Sequence, residues 1–450
     1  MIATRRGAIN SDRVTPDDSV SSCPRSAGVT QSESMALRRV AITGVGLVSC
    51  LGHDYGQVVR ALQNGVSGIR AMPEWENLGL KSRVAGTILD VETKFECSLI
   101  PKKLRPAISE ASKYCCLAAL DAVGDSGLSE VDVRSDRTAC IVGTGIGSVE
   151  SIYTAGRQLN SGEIAKLSPL VVLKSMASAS SAAVANLLKV HGRSYSISSA
   201  CSTSSHSIGT AYELIRYGIV DRAIAGGGEE VHPLIAAGFQ ALRFALATKF
   251  NECPQRASRP YDVARDGFVI GGGAGIVVLE AWDQALARRA RVRAEIVGFG
   301  TSSDGFDMVM PEPTGMHAAK SMRNAIEGSG MSPRDVGAVN THGTATAKGD
   351  VAEVEAMKEV FDGKPPPFSS TKSMTGHPLG AAGALETIFC VGMLEHNFIA
   401  PSINIEVLDP EFAGLPVVTT PKFTELDTIL SNSFGFGGTN ASLLLKAFRN

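Results

Sequence analysis

The chain has 450 residues, 44% hydrophobic and only 6% aromatic, with a formal net charge of −2; a length beyond one average core implies two domains or two fused halves, and so even a charge speaks against nucleic acid. Nine cysteines with no CxxC pair and no His-rich cluster argue against a disulfide framework or a zinc site and for a reducing compartment. No apolar run approaches the eighteen or so residues of a membrane span, so a cytoplasmic protein without a membrane partner is expected.

Residues 1–34, rich in Ser, Arg, Thr and Asp, read as a disordered leader. Asp12, Asp17, Asp18 and Glu33 argue against a transit peptide, while Arg5, Arg6 and the serines leave organellar targeting open. Met35 begins the first strand-like segment. Leu37 to Gly52, LRRVAITGVGLVSCLG, is a buried strand and glycine turn that lacks the third glycine of a dinucleotide fingerprint, since Ser49 stands where Gly or Ala is needed. Arg105 to Asp125 has the spacing of an amphipathic helix closed by Gly127, and Thr138 to Gly147 is a strand entering a glycine loop with Ile146 at its tip.

Tyr195 to Ile219, YSISSACSTSSHSIGTAYELIRYGI, is the stretch around which the rest is organised. Tyr195 and Ile197 read as a buried strand, and Ile208, Ala211, Leu214 and Ile215 have helical spacing. Cys201 stands between them, where helix N–H groups and the helix dipole should draw a thiol of pKa about 8.5 toward thiolate. The small residues on either side leave room for a substrate at the sulfur.

The second half echoes the first. Arg293 to Ser302 parallels the opening strand; Phe368 to Leu394 parallels the segment around Cys201; Gly267 to Glu280 and Ser431 to Lys446 each read as strand, glycine turn, strand. This is the pattern of a duplicated unit, joined in the Ala281 to Arg293 segment, with a leader at 1–34 and halves at 35–290 and 291–450. Buried strands alternating with helices define the class as α/β. VGAVNTHGTATAKGD presents His342 at a strand end before Thr344 and Thr346; STKSMTGHPLG places Lys372 and His377 at the start of an apolar helix, where a cation calls for a compensating anion, with Glu386 inside the helix as the candidate, or for a functional role. SFGFGGTN has too much glycine for side-chain packing, so its backbone N–H groups are free to receive an oxyanion; no Lys follows as a phosphate loop would need.

Together, Cys201 in SSACSTSSHSIG, His342 in THGTATAKGD, Lys372 and His377 in STKSMTGHPLGAAG and Phe436 in SNSFGFGGTN resemble the β-ketoacyl-ACP synthases, the elongating condensing enzymes of type II fatty acid synthesis. The resemblance runs from about Arg38 to the C-terminus. It implies the thiolase fold, two βαβαβαββ halves in five αβαβα layers, a homodimer, and acyl carrier protein (ACP) as carrier of both acyl and malonyl substrates. ACSTSSHSIG, AIAGGGEEV and EIVGFGTSSDGFDMV look like the first elongating type, whereas Ile146 is the residue expected of the second. It further implies Cys201 as nucleophile, His342, His377 and Lys372 as catalytic partners, backbone N–H groups of Cys201 and Phe436 as oxyanion hole, and Phe436 as a gate hinged at Gly435 and Gly437. Thr344 and Thr346 would bind the pantetheine arm, Ile146 and Phe239 the acyl chain, and Asn340, Glu386, Ser431 and Asn432 a monovalent cation, with no cofactor in the chemistry. Lys102, Lys103 and Arg105, or Arg243, Lys249 and Arg256, are candidate basic patches for an acidic ACP.

A degradative thiolase needs a second cysteine near the C-terminus, and no cysteine follows Cys390. A chain-length-factor partner lacks the nucleophile that is present here. The remaining alternative is a free-standing polyketide-type ketosynthase subunit.

Overall fold

The structure is a computed structural model describing residues 37–449, so the expected leader at 1–34 lies outside the described residues. Ten strands make the main sheet, and only these and the helices packed on them are numbered. In the first half the order is β1 (Val40–Val48), α1 (Glu110–Ser126), β2 (Thr138–Gly143), α2 (Ala179–Leu188), β3 (Ser194–Tyr195), α3 (Thr203–Arg216), β4 (Arg222–Glu229) and β5 (Gly273–Ala281). The second half repeats it: β6 (Ala294–Ser303), α4 (Met316–Gly328), β7 (Ala338–Asn340), α5 (Ala347–Val360), β8 (Phe368–Ser369), α6 (Ala382–His396), β9 (Thr428–Gly435) and β10 (Thr439–Ala447).

Each half is a mixed five-strand set, ordered β3-β2-β4-β5-β1 and β8-β7-β9-β10-β6. The sets join where β1 pairs antiparallel with β6 over Val40–Ile42. Helices α1 and α2 cover one outer face, with Leu117, Ala118 and Val184 packed on Ile224, Ile276 and Val278. Helices α4 and α5 cover the other, with Met322, Ile326 and Met357 on Val339, Leu430 and Leu444. Between the halves lie α3 and α6, whose Ile208, Ile215, Leu385 and Phe389 share one core with Val277, Ile429 and Leu443. These are five layers, the thiolase arrangement.

The glycines of β1 do steric work. A Cβ on Gly44 would stand 2.1 Å from the Ala122 carbonyl oxygen, and one on Gly46 2.0 Å from that of Ala118; β1 is pressed directly onto the backbone of α1.

Three local expectations are corrected. Helix α1 starts at Glu110 instead of Arg105, because Pro106 sits in a short 3-10 turn and the Ser109 side chain accepts from the Ser112 N–H as the cap; Gly127 closes it with φ 65° as expected. The strand at Tyr195 is exposed, not buried, being a two-residue edge strand. The hairpin partner of β5 is β4, while Ile270–Gly271 pairs in a separate small sheet. The excursion between β4 and β5 hid that pairing, because hydrophobic pattern alone does not name a strand's neighbour.

Gly46→Ala is expected to lower the thermal midpoint by several degrees, the overpacking cost being roughly 1–3 kcal/mol; an unchanged midpoint in a melting experiment would show that β1 and α1 can separate freely.

Candidate active site

Cys201 lies in the 3-10 turn Ala200–Ser202 that opens α3. Ala200 is forced to φ 51°, a left-handed conformation that non-glycine residues rarely adopt, and the turn projects the sulfur inward among Ile235, Ala236, Phe268 and Leu379. His342 follows β7 and His377 precedes α6. Ligating atoms of Cys201, His342 and His377 all lie within 4.8 Å of one another, and the imidazoles meet edge to face with centroids 5.1 Å apart. Among the described residues these three are the only cluster of metal-ligating composition.

The second half closes over the nucleophile turn. Ser202 Oγ donates to the carbonyls of Ser433 and Thr439, and Thr439 Oγ1 donates to the carbonyl of Ser199 at 3.0 Å. A Cβ on Gly435 would meet Ser199 O at 2.8 Å and Cys201 N at 3.2 Å, so glycine is required there for close approach. The positive φ values of 80° and 70° beside Phe436 belong to Gly437 and Gly438. The Phe436 N–H is directed at the Cys201 sulfur, where the Cys201 N–H also stands, and the Phe436 ring packs on Phe239 at 5.9 Å.

Burial governs the electrostatics. It pushes the Cys201 thiol up to about 12, against the opposing pull of Lys372 and the Phe436 N–H. Desolvation thus works against the thiolate expected at the helix terminus and favours the neutral thiol. Burial, with the Lys372 charge next, drives both imidazoles well below their ordinary value, so both are neutral. Nδ1 of His342 and both nitrogens of His377 are buried without a hydrogen-bond partner in the protein. Such groups are costly unless a substrate atom satisfies them.

Lys372 is buried and paired with Glu386, Nζ to Oε1 at 2.5 Å, as its place at a helix start demanded. Burial raises Glu386 to about 7. Its Oε2 has no partner, while the Thr371 hydroxyl against this carboxyl donates to Asn340 Oδ1 at 3.2 Å and Asn340 Nδ2 reaches Ser431 Oγ at 3.5 Å. Asn340, Ser431 and Glu386 thus offer oxygens of the kind a monovalent cation takes. Asn432 does not join them: successive residues of a strand face opposite sides, and its amide donates to Glu353 at 3.1 Å and accepts from Ser442.

A cavity of about 390 Å³ runs from the triad to the surface, lined by Cys201, His342, His377, Phe239, Thr344, Thr346 and Phe436. The Thr344 and Thr346 hydroxyls are 3.0 Å apart on its wall. Ile146 does not line this cavity and is 45% exposed.

Sequence reading missed Glu353 and Phe268. Glu353 accepts from the N–H groups of His342 and Gly343, each at 2.8 Å, and so holds the histidine loop. The available signal is a carboxylate at helical spacing with the apolar Ala356, Met357 and Val360. Phe268 sets its edge against His377 at 5.4 Å, and no pattern in the chain announces it.

Models of the β-ketoacyl synthase N-terminal and C-terminal domains match residues 37–285 and 293–406, and the chain belongs to the β-ketoacyl synthase family. Within that family it is 46% identical over 417 residues to 3-oxoacyl-[acyl-carrier-protein] synthase 1 of Escherichia coli K12, covering 92% of this chain and all of that one. It is 39% identical over 421 residues to 3-oxoacyl-[acyl-carrier-protein] synthase 2 of Vibrio cholerae, again over 92% of this chain and 100% of the other. A crystal structure of a β-ketoacyl synthase from Burkholderia phymatum superposes with a TM-score of 0.87 at 36% identity, covering 92% and 100% of the two chains. The fold expectation is confirmed by that match.

With a thiol held near 12, the alkylation rate of Cys201 by iodoacetamide should keep climbing with pH past 9, without the plateau an ordinary thiol shows near 8–9. A plateau at neutral pH would mean that the sulfur is already ionised.

Proposed function

We propose that the chain is a 3-oxoacyl-[acyl-carrier-protein] synthase that elongates fatty acyl chains by two carbons. The observation that carries this is the buried Cys201, His342 and His377 cluster at the inner end of the cavity, with two backbone N–H groups at the sulfur. In the first half-reaction Cys201 attacks the thioester carbonyl of acyl-ACP while its proton passes to the neutral imidazole of His377. The oxyanion is received by the N–H groups of Cys201 and Phe436. The carbonyl–sulfur bond to ACP breaks, the ACP thiol takes the proton, and the acyl group stays on Cys201.

Malonyl-ACP then threads its arm past Thr344 and Thr346. Its carboxylate leaves as carbon dioxide, and the electron pair of the broken bond becomes an enolate. His342 and His377, neutral and with unpartnered nitrogens, donate N–H bonds to the enolate oxygen. Lys372 adds positive charge behind both rings. The nucleophilic carbon attacks the acyl-Cys201 carbonyl, the carbon–sulfur bond breaks, and the released thiolate recovers a proton. The product is a 3-oxoacyl-ACP. A monovalent cation held by Asn340, Ser431 and Glu386 would neutralise the second Glu386 oxygen and enters no step.

The working form is a cytoplasmic homodimer. Strand β3 leaves one edge unpaired, and helix 149–160 packs on 171–175, which reaches α2 beside β3. This side exposes Ile152, Tyr153, Leu159, Ile164, Val172 and Leu173, more apolar surface than a monomer commonly shows in one place. A second copy here would complete the acyl pocket at Ile146. The ACP face is the cavity mouth, which Lys348 lines and beside which Arg243, next to the lining Phe244, is exposed; Lys102 and Lys103 are exposed as well. Arg105 is paired with Glu96 and Arg256 with Glu406. The same face and triad serve a polyketide-type subunit, and the substrate profile separates the two.

Cys201→Ser should abolish acyl transfer, because a hydroxyl ionises far less readily than a thiol, while His342→Ala should slow carbon dioxide release from malonyl-ACP by about 100-fold or more and acylation of Cys201 much less. Acyl labelling and carbon dioxide release measure the two halves, and equal losses in both would count against this division. Replacing Lys102, Lys103 and Arg243 together by Glu should raise KM for ACP substrates about tenfold and leave that for pantetheine thioesters within about twofold. Equal effects on both substrates would place the docking face elsewhere.

A further inference from the structure

Glu229 ends β4 with no exposed surface, outside the triad and with no basic partner. Its carboxylate instead collects donors from two distant parts of the chain. Oε1 accepts from the Thr144 hydroxyl at 2.9 Å and the Ile146 N–H at 3.4 Å; Oε2 accepts from the N–H groups of Gly145 at 2.8 Å and Gly380 at 3.1 Å. Thr144 to Ile146 follow β2, whereas Gly380 belongs to the turn between His377 and α6. The packing is tight enough to require glycine at both: a Cβ on Gly145 or Gly380 would stand 2.7 Å from Oε2, and one on Gly380 only 2.3 Å from Gly145 N.

The duplication explains this arrangement. The 3-10 turn Ala200–Ser202 opens α3 as Leu379–Ala381 opens α6, and Ala200 and Leu379 share the left-handed backbone, φ 51° and 45°. Cys201 and Gly380 are therefore counterparts, as are the ends of β4 and β9. The end of β9 brings Gly435 and Phe436 onto Cys201 and leaves two N–H groups for a transient oxyanion. The end of β4 brings Glu229 onto Gly380, and there the N–H groups hold a permanent carboxylate.

What the clamp supports is His377. Neither nitrogen of that ring has a protein partner, so its orientation rests on packing and on its backbone. On the N-terminal side the backbone is fixed by His377 N donating to Val269 O at 2.7 Å and by Gly271 N donating to His377 O at 2.9 Å. On the C-terminal side the Glu229 bond to Gly380 holds it. We propose that Glu229 is a positioning residue: it fastens the 144–146 loop to the turn after His377 and thereby sets the imidazole at the distance that decarboxylation requires. It acts on the transition state of that half-reaction and not on malonyl-ACP binding, since it lines no part of the cavity.

The inference rests on the reading of His377 as a donor to the enolate, so Glu229→Gln and His377→Ala are assayed side by side in the full chain, by carbon dioxide release from malonyl-ACP. The amide in Glu229→Gln turns a donor toward N–H groups that need an acceptor, at almost unchanged volume. Its kcat should fall about tenfold or more, as expected of a displaced catalytic group, with KM within about twofold of the wild type. A wild-type kcat in Glu229→Gln beside a slow His377→Ala overturns the clamp alone, and so does a loss that appears only in KM. An unimpaired His377→Ala overturns the reading of His377 and the clamp with it. Where Glu229→Gln does not fold, Thr144→Val removes one donor while keeping the shape, and its kcat should fall about threefold at constant KM; a wild-type kcat there overturns the proposal.

Discussion

Helices α3 and α6 touch at backbone distance, and the active site depends on that contact. A Cβ on Gly383 would stand 1.9 Å from Ser205 Oγ and 2.8 Å from Ser205 N, and the Ala384 N–H donates to Ser204 Oγ at 2.9 Å. The two helices come from different halves, and each begins in a tight turn that carries one reacting group or stands beside it. Pressing them together at their first turns is what sets Cys201 from one half against His377 from the other. A larger residue at Gly383 would part the turns, and with them the nucleophile and the donor that must act on one substrate.

That close meeting is also why desolvation dominates the chemistry. Glu229, Asp350 and Glu386 are each raised to about 7 by burial, and Glu353 is raised by the same cause. Each is compensated at short range: Glu229, Asp350 and Glu353 by backbone N–H groups, Glu386 by Lys372. Buried carboxylates require such partners, and the partners here are the loops that must not move. At Cys201 the pull of Lys372 and the backbone N–H groups does not offset burial, and the two histidines have unpartnered nitrogens in the same dry interior, so their neutral forms are favoured until a thioester arrives. Reactivity is held for the moment of binding instead of being exposed at rest.

The two halves present equivalent turns and equivalent strand ends and use them in opposite senses. One strand end leaves bare N–H groups over a nucleophile, and the other carries a carboxyl group that fills its own. The glycines at 145, 380 and 435 record how near the chains pass at these places.

The sequence by itself determined the class and nearly all of the cast. Alternating burial, the repeat of two halves and the motifs around Cys201, His342, Lys372, His377 and Phe436 are local patterns, written in consecutive residues, and so is the Gly127 that closes α1. Tertiary structure decided what depends on distance between remote segments. It placed Glu353 under the His342 loop, turned Asn432 away from Asn340 and Ser431, gave β5 its partner β4, left Ile146 off the cavity and Tyr195 at an exposed edge. It also set burial against the ionisation expected of Cys201, because a helix terminus is legible in neighbouring residues, whereas the loss of water around a sulfur is the sum of everything packed upon it.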